Sequence, residues 1–164
     1  NRTLVFANKH LNDRVIQAEN LNEVDLNFLK NIQKLKNNAE EAYSHFQLRK
    51  ACQILMELSQ LGNIYFDEKK PWKLSKDPTL EKDLTATLNC CLQCILVLAL
   101  IAYPIIPKTA EDVFFFLNKE IKSWDEVDEL ESFSSLKKPH LLFRKIEDKE
   151  IEEEIAKLQS GVLK

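Results

Sequence analysis

The sequence predicts an all-α fold, an antiparallel bundle of about five helices with a C-terminal tail that crosses back over it into a final helix. Three observations carry this expectation. Apolar residues recur at spacings of three and four along most of the chain. Two glycines and five prolines in 164 residues leave too little turn chemistry for a sandwich or barrel. A composition of 45% hydrophobic and 30% charged residues provides one full-sized core with a solvated exterior. Residues 1–140 are assigned to the bundle, and 141–164 to a tail and helix that pack back or lead to a further part.

Each element follows from its pattern. Leu4, Val5, Ala7 and Leu11 form one edge of a helix whose beginning lies upstream, and Asn12-Asp13 with residues 20–22 mark a loop. Val24, Leu26, Leu29, Ile32, Leu35, Ala39, Ala42 and Tyr43 call for a long helix. After a break near residues 44–47, Leu48, Ala51, Cys52, Leu55, Leu58 and Leu61 repeat the pattern in a helix that stops before Pro71. Leu80, Leu84, Leu88, Cys91, Ile95, Leu98 and Ala102 form another helical row. Beyond Cys91 this helix is apolar nearly all round, as a helix in the middle of a bundle must be. Pro104 ends it. Pro107 at a first-turn position and a capping box of Thr109 with Asp112 open the next, which carries Val113, Phe114, Phe115, Phe116 and Leu117. Residues 119–140 read as irregular, 140–143 as a short extended segment and 147–158 as a charged helix. There is no internal repeat or low-complexity tract.

A formal net charge of −3 excludes indiscriminate phosphate binding. The distribution is uneven, however, with Arg2, Lys9 and Arg14 early, lysines at 69, 70, 73 and 76, and an acidic region after residue 110. A local contact with a polyanion is therefore compatible with the acidic total. The apolar run at 94–103 is about half a membrane span. The chain opens on Asn1 without a signal peptide and reads as a piece of a longer polypeptide. Cys90, Cys91 and Cys94 lie in an apolar helical stretch, and His10, His45 and His140 have no paired spacing with them, so with Cys52 they read as small thiols rather than metal ligands. No glycine-rich phosphate loop and no catalytic constellation is evident, and Glu152, Glu153 and Glu154 read as a solvated helical face.

The most informative segment is Asn63-Ile-Tyr-Phe-Asp-Glu-Lys-Lys-Pro-Trp72. It runs the end of an amphipathic helix into a proline and places Trp72 directly behind the break, among four lysines. An aromatic so placed suits stacking on an unpaired base with cations for the adjoining phosphates. It equally suits a tryptophan capping a core beneath solvated lysines, and these residues alone leave both readings open.

Four segments, in order, resemble the C-terminal half of the methionyl-tRNA synthetase family. They are Asn1-Arg-Thr-Leu-Val-Phe-Ala-Asn-Lys9, Gly62 through Lys73, residues 98–107 with Thr109-Ala110, and Leu142-Phe-Arg-Lys-Ile-Glu147. The resemblance covers nearly the whole chain, and the Asn-x-Tyr…Pro-Trp segment is its most specific part. It implies the anticodon-binding bundle of a class I synthetase, with Trp72 stacking on the first base of a CAU anticodon. Asp67, Pro71 and Lys73 would supply neighbouring contacts. The first helix would help read the triplet, but where some members carry Asn and Arg four residues apart, this chain has Val5 and Lys9. Asn8 or backbone groups would then substitute. Asn63 is expected to bond between helices.

The resemblance further implies a methionine tRNA partner, a catalytic part of the same polypeptide using ATP and magnesium, zinc in that part, and a cytoplasmic setting. No cofactor, catalytic residue, metal, DNA or membrane partner is expected for this segment itself. Lys73-Leu-Ser-Lys76 is a weak echo of the family's KMSKS loop and is read as coincidence. The helical topology is shared with other class I synthetases, so an equivalent domain of another specificity is the alternative. A helical protein-interaction module anchored by Trp72 is a third.

Overall fold

The computed structural model describes residues 2–11, 16–120, 123–127 and 130–159. Helix α1 spans Arg2–Leu11, α2 Glu23–Ser44, α3 Leu48–Lys69, α4 Pro71–Leu74, α5 Glu81–Ala102, α6 Pro107–Leu117 and α7 Asp148–Gln159. Short 3₁₀ turns occupy Pro78–Leu80 and Trp124–Val127. The all-helical bundle of the sequence reading is present. The expected loop at Asn12-Asp13 and the last five residues of the tail lie outside the described residues.

Helix α5 organises the bundle, packing against α1, α2, α3, α4 and α6. Its two faces serve two cores. Leu84, Leu88, Leu92, Leu96 and Leu100 join α1, α6 and the tail residues Phe133 and Leu136. Cys90, Cys91, Cys94, Val97 and Ile101 join Phe28, Ile32 and Leu35 of α2 and Ala51, Ile54 and Leu58 of α3. The all-round apolar sequence of this helix is thus accounted for by cover on both sides. The stretch Pro78–Ala102 is long and apolar enough to cross a membrane, yet 83% of its apolar window is buried within the protein.

The ends of the elements follow local chemistry. Asn22 caps α2 in a capping box with Asp25, each side chain accepting from the other's backbone N–H at 3.1 Å. Helix α6 departs from expectation. Pro107 does occupy its first turn, but the cap is Ile106 and no side chain closes it, because Thr109 already lies inside the helix.

The tail is held by hydrogen bonds rather than by a sheet. Ile16 and Phe133 form an isolated antiparallel bridge, with N–H···O distances of 2.6 and 2.9 Å. The buried Asn89 amide donates to the carbonyls of Ile16 and Glu131, both at 2.8 Å. The extended segment expected at 140–143 takes no strand partner among the described residues. Leu142 packs against the core, whereas Leu141, Phe143 and Ile146 are exposed. So are Ile151, Ile155 and Leu158 along one side of α7.

Cys90, Cys91 and Cys94 are buried, and Cys52 is exposed. Burial pushes the Cys90 and Cys94 thiols up to about 12, and raises Cys91 as well, so these sulfurs stay protonated and inert. Cys94 of α5 also packs directly against α3 at Gly62. A Cβ at Gly62 would stand 3.0 Å from its Sγ. Gly62→Ala is therefore expected to destabilise the fold by about 1 kcal/mol, overpacking outweighing the gain in helix propensity. Thermal unfolding checks this, and in the Cys94→Ala background the same substitution should become neutral or stabilising.

Candidate nucleic-acid interface

The break between α3 and α4 is built by Pro71. Proline has no N–H to continue α3 and bars the preceding residue from the right-handed helical region. Lys70 accordingly adopts the left-handed conformation at φ 48° and ψ 58°, a position usually given to glycine. Its N–H donates to the Phe66 carbonyl at 3.1 Å, closing α3, and its carbonyl accepts from Lys73 at 2.7 Å, opening α4. Pro71 is buried and Leu74 packs on the core, so the single turn of α4 is anchored at both ends. Trp72 between them points outward.

Trp72 is 37% exposed. It is neither a core plug nor a free side chain. Its ring centroid lies 5.8 Å from that of Phe66, tilted by 44°, so the buried Phe66 backs the indole and leaves part of it open. The Arg2 guanidinium lies over Phe66, 4.5 Å from the centroid. Arg2 also donates to Asp67 at 3.2 Å, with both side chains 61% exposed. Three planar groups thus adjoin: Arg2, Phe66 and Trp72. The sequence reading missed Arg2 as a site residue. The signal available was its position, since Arg2, Val5 and Lys9 fall on one helical face at i, i+3 and i+7.

The other expected site residues sort themselves by geometry. Val5 and Lys9 are exposed on α1 along the same row as Arg2. Asn8 lies about 100° away round the helix. Its amide donates to the Lys137 carbonyl at 3.0 Å, which ties α1 to the tail. Pro71 is buried and its carbonyl accepts from Ser75 at 2.9 Å, so it shapes the turn. Lys73 is exposed, as are Lys70 and Lys76. Lys69 is not a free cation. Its Nζ sits 2.8 Å from Oδ1 of buried Asp25, and its side chain is only 12% exposed. Asn63 is exposed, and its side chain makes no hydrogen bond with another described residue. The bond it was expected to form between helices is made two residues later, where the Tyr65 hydroxyl donates to Asp25 Oδ1 at 2.6 Å. Among the described residues no three His, Cys, Asp or Glu side chains converge as a metal site.

Residues 15–162 match the family model described as the anticodon-binding domain of methionyl tRNA ligase. The chain belongs to this family.

The domain is 44% identical over 165 residues to a methionine–tRNA ligase of Protochlamydia amoebophila, covering 97% of the chain and 24% of that protein. It is 40% identical over 157 residues to the Chlamydia abortus ligase, covering 87% of the chain and 28% of the relative. The domain thus spans about a quarter of the length of these curated relatives. Among solved structures, the free-state methionyl-tRNA synthetase of Mycobacterium tuberculosis superposes with a TM-score of 0.75 at 21% identity, over 89% of this chain and 30% of that one. That likeness establishes the bundle fold.

Asp25 is the most constrained ionisable group near the interface. Burial pushes its carboxyl up, but hydrogen bonds from Lys69, Tyr65 and the Asn22 backbone outweigh this and leave it below the ordinary value of 3.8. A carboxyl lowered on folding stabilises the domain above its unfolded pKa, and that stability is lost as pH falls through the folded pKa. Removing the charge leaves Lys69 buried and unpaired, at a cost of about 3–5 kcal/mol near neutrality. Denaturant unfolding of the domain and its Asp25→Asn variant should therefore differ most at pH 7. The gap should narrow below about pH 4, as the unfolded carboxyl takes up its proton before the native one, until the native carboxyl is protonated as well.

Proposed function

We propose that the domain recognises the CAU anticodon of methionine tRNA, with Trp72 stacking on the first base. The observation that carries this reading is the half-open indole at the α3–α4 break, braced from behind by Phe66. A splayed anticodon offers base faces to such a platform and Watson–Crick edges to the groups beside it. Lys70, Lys73 and Lys76 provide cations for the neighbouring phosphates, and Val5 and Lys9 border the approach along α1. Asp67 supplies an acceptor for the cytosine amino group, and Arg2 supplies the planar cation absent at position 9.

The domain would serve a polypeptide that joins methionine to tRNA with ATP and magnesium in a separate catalytic part, where any zinc would also reside. The exposed Leu141, Phe143 and Ile146 offer that part an apolar surface to cover. The setting proposed is the cytoplasm.

A fluorescence titration in a Trp124→Phe background isolates Trp72, because the chain has only two tryptophans. A CAU stem-loop should quench it, and loops altered at the first base should respond weakly. Equal responses to every loop would overturn the methionine assignment in favour of another specificity. Silence at low salt would favour a protein-binding module. In the full-length enzyme, Trp72→Ala should lower charging of the CAU tRNA by about 5- to 150-fold, the worth of one stacked base. ATP-dependent methionine activation should be unchanged.

A further inference from the structure

Asp25, Tyr65 and Lys69 form a largely buried polar cluster at the start of α2 and the end of α3, close in sequence to the α3–α4 break. Oδ1 of Asp25 accepts from the Tyr65 hydroxyl at 2.6 Å and from Lys69 Nζ at 2.8 Å. Oδ2 accepts from the Asn22 backbone at 3.1 Å. One carboxylate therefore joins the first turn of α2 to the last two turns of α3. The Tyr65 ring stacks on Phe28, one turn into α2, with centroids 3.9 Å apart and planes 3° from parallel. The next residue is Phe66, whose ring braces Trp72 and whose carbonyl accepts from Lys70.

Stability alone is a poor reason for this arrangement. The cluster lies against Phe28, Phe66, Cys90 and Cys91, where an ion pair holds a fold no better than apolar side chains of similar volume. What it does provide is a fixed geometry where helices ordinarily fray. Two donors from α3 meet a carboxylate that the Asn22 N–H fixes on α2, which gives α3 a single position against α2, and the left-handed Lys70 transmits that position to α4.

We propose that Asp25 is a positioning residue for Trp72: its carboxylate, held by Tyr65 and Lys69, locks the last turn of α3 and so sets the angle at which the break presents the indole. The proposal rests on the reading of Trp72 as the base-stacking group. It also assigns Lys69 to geometry, although its sequence neighbours Lys70 and Lys73 are free to meet phosphate.

The test uses the 164-residue chain with Trp124→Phe, adding Lys69→Met or Tyr65→Phe, and Lys73→Met as a contrast. Acrylamide quenching of Trp72 should rise in the Lys69 and Tyr65 variants. Their affinity for a CAU stem-loop should fall about tenfold, a large share of one stacking contact. The salt dependence of binding should keep its slope in both, because no phosphate contact is removed. In Lys73→Met the slope should shrink by about 0.7 with quenching unchanged. Unchanged quenching in a helical, cooperatively melting Tyr65 variant would overturn the proposal. A reduced salt slope in Lys69→Met would do the same, making Lys69 a phosphate contact. Tyr65→Phe removes a single hydroxyl and keeps the ring stack, so it decides the matter if Lys69→Met fails to fold. Failure of the Trp124→Phe chain to bind any stem-loop would strike the functional reading instead, while the quenching comparison would still judge the positioning.

Discussion

A helix that is apolar nearly all round over its second half has no stable place except between other helices, and α5 sets that requirement for this domain. Each buried leucine contributes about 1.5–3 kcal/mol relative to exposure. The five leucines on one face of α5 therefore supply a gross gain as large as the whole net stability of an ordinary domain, about 5–15 kcal/mol, and offset a share of the chain entropy lost on folding. One face draws in α1, α6 and the tail, and the other draws in the α2–α3 hairpin. Parts far apart in sequence thus become neighbours because they share one helix. Arg2 and Asp67 meet in this way, across 65 positions.

The candidate interface lies where this order gives out. Helix α3 must end, because Pro71 forbids another turn, and α4 lasts only long enough to bury Pro71 and Leu74. A left-handed lysine carries a backbone cost of about 1–2 kcal/mol that glycine would avoid. The cost is tolerated because Phe66, Pro71 and Leu74 are each fixed by packing around it. The indole is left half-covered as a consequence. A fully buried ring could not stack on a base, and a fully exposed one would spend binding energy on being ordered.

Much of the fold was legible in the sequence because helical periodicity is a local property. The rows from Val24 to Tyr43 and from Leu48 to Leu61 fall within α2 and α3, and the prolines at 71, 104 and 107 mark real boundaries. What was not legible depends on partners far away in the chain. Lys69 looks like its neighbours until Asp25, 44 positions earlier, is packed against it. Asn8 had the chemistry of a base reader, yet its amide is committed to the tail through Lys137. Thr109 and Asp112 had capping spacing, but a cap is defined by where the helix begins, and Pro107 begins it earlier. Trp72 was legible as a candidate and illegible as exposed, because exposure follows from the placement of Phe66 behind it.

Stacking alone cannot distinguish one base from another, since every base has a π face. On the proposed reading, discrimination falls to the Arg2 and Asp67 pair beside the indole. Both members are well exposed, and such a pair holds together with only about 0–1 kcal/mol. Opening it costs less than the 1–3 kcal/mol that one stacked base returns. The pair can therefore keep its acceptor and its planar donors in position without competing seriously with a base for them. Asp25 and Lys69 are the contrary case, buried and expensive to separate. The domain uses the same chemistry twice: shielded from water to hold a helix still, and open to water to leave a contact exchangeable.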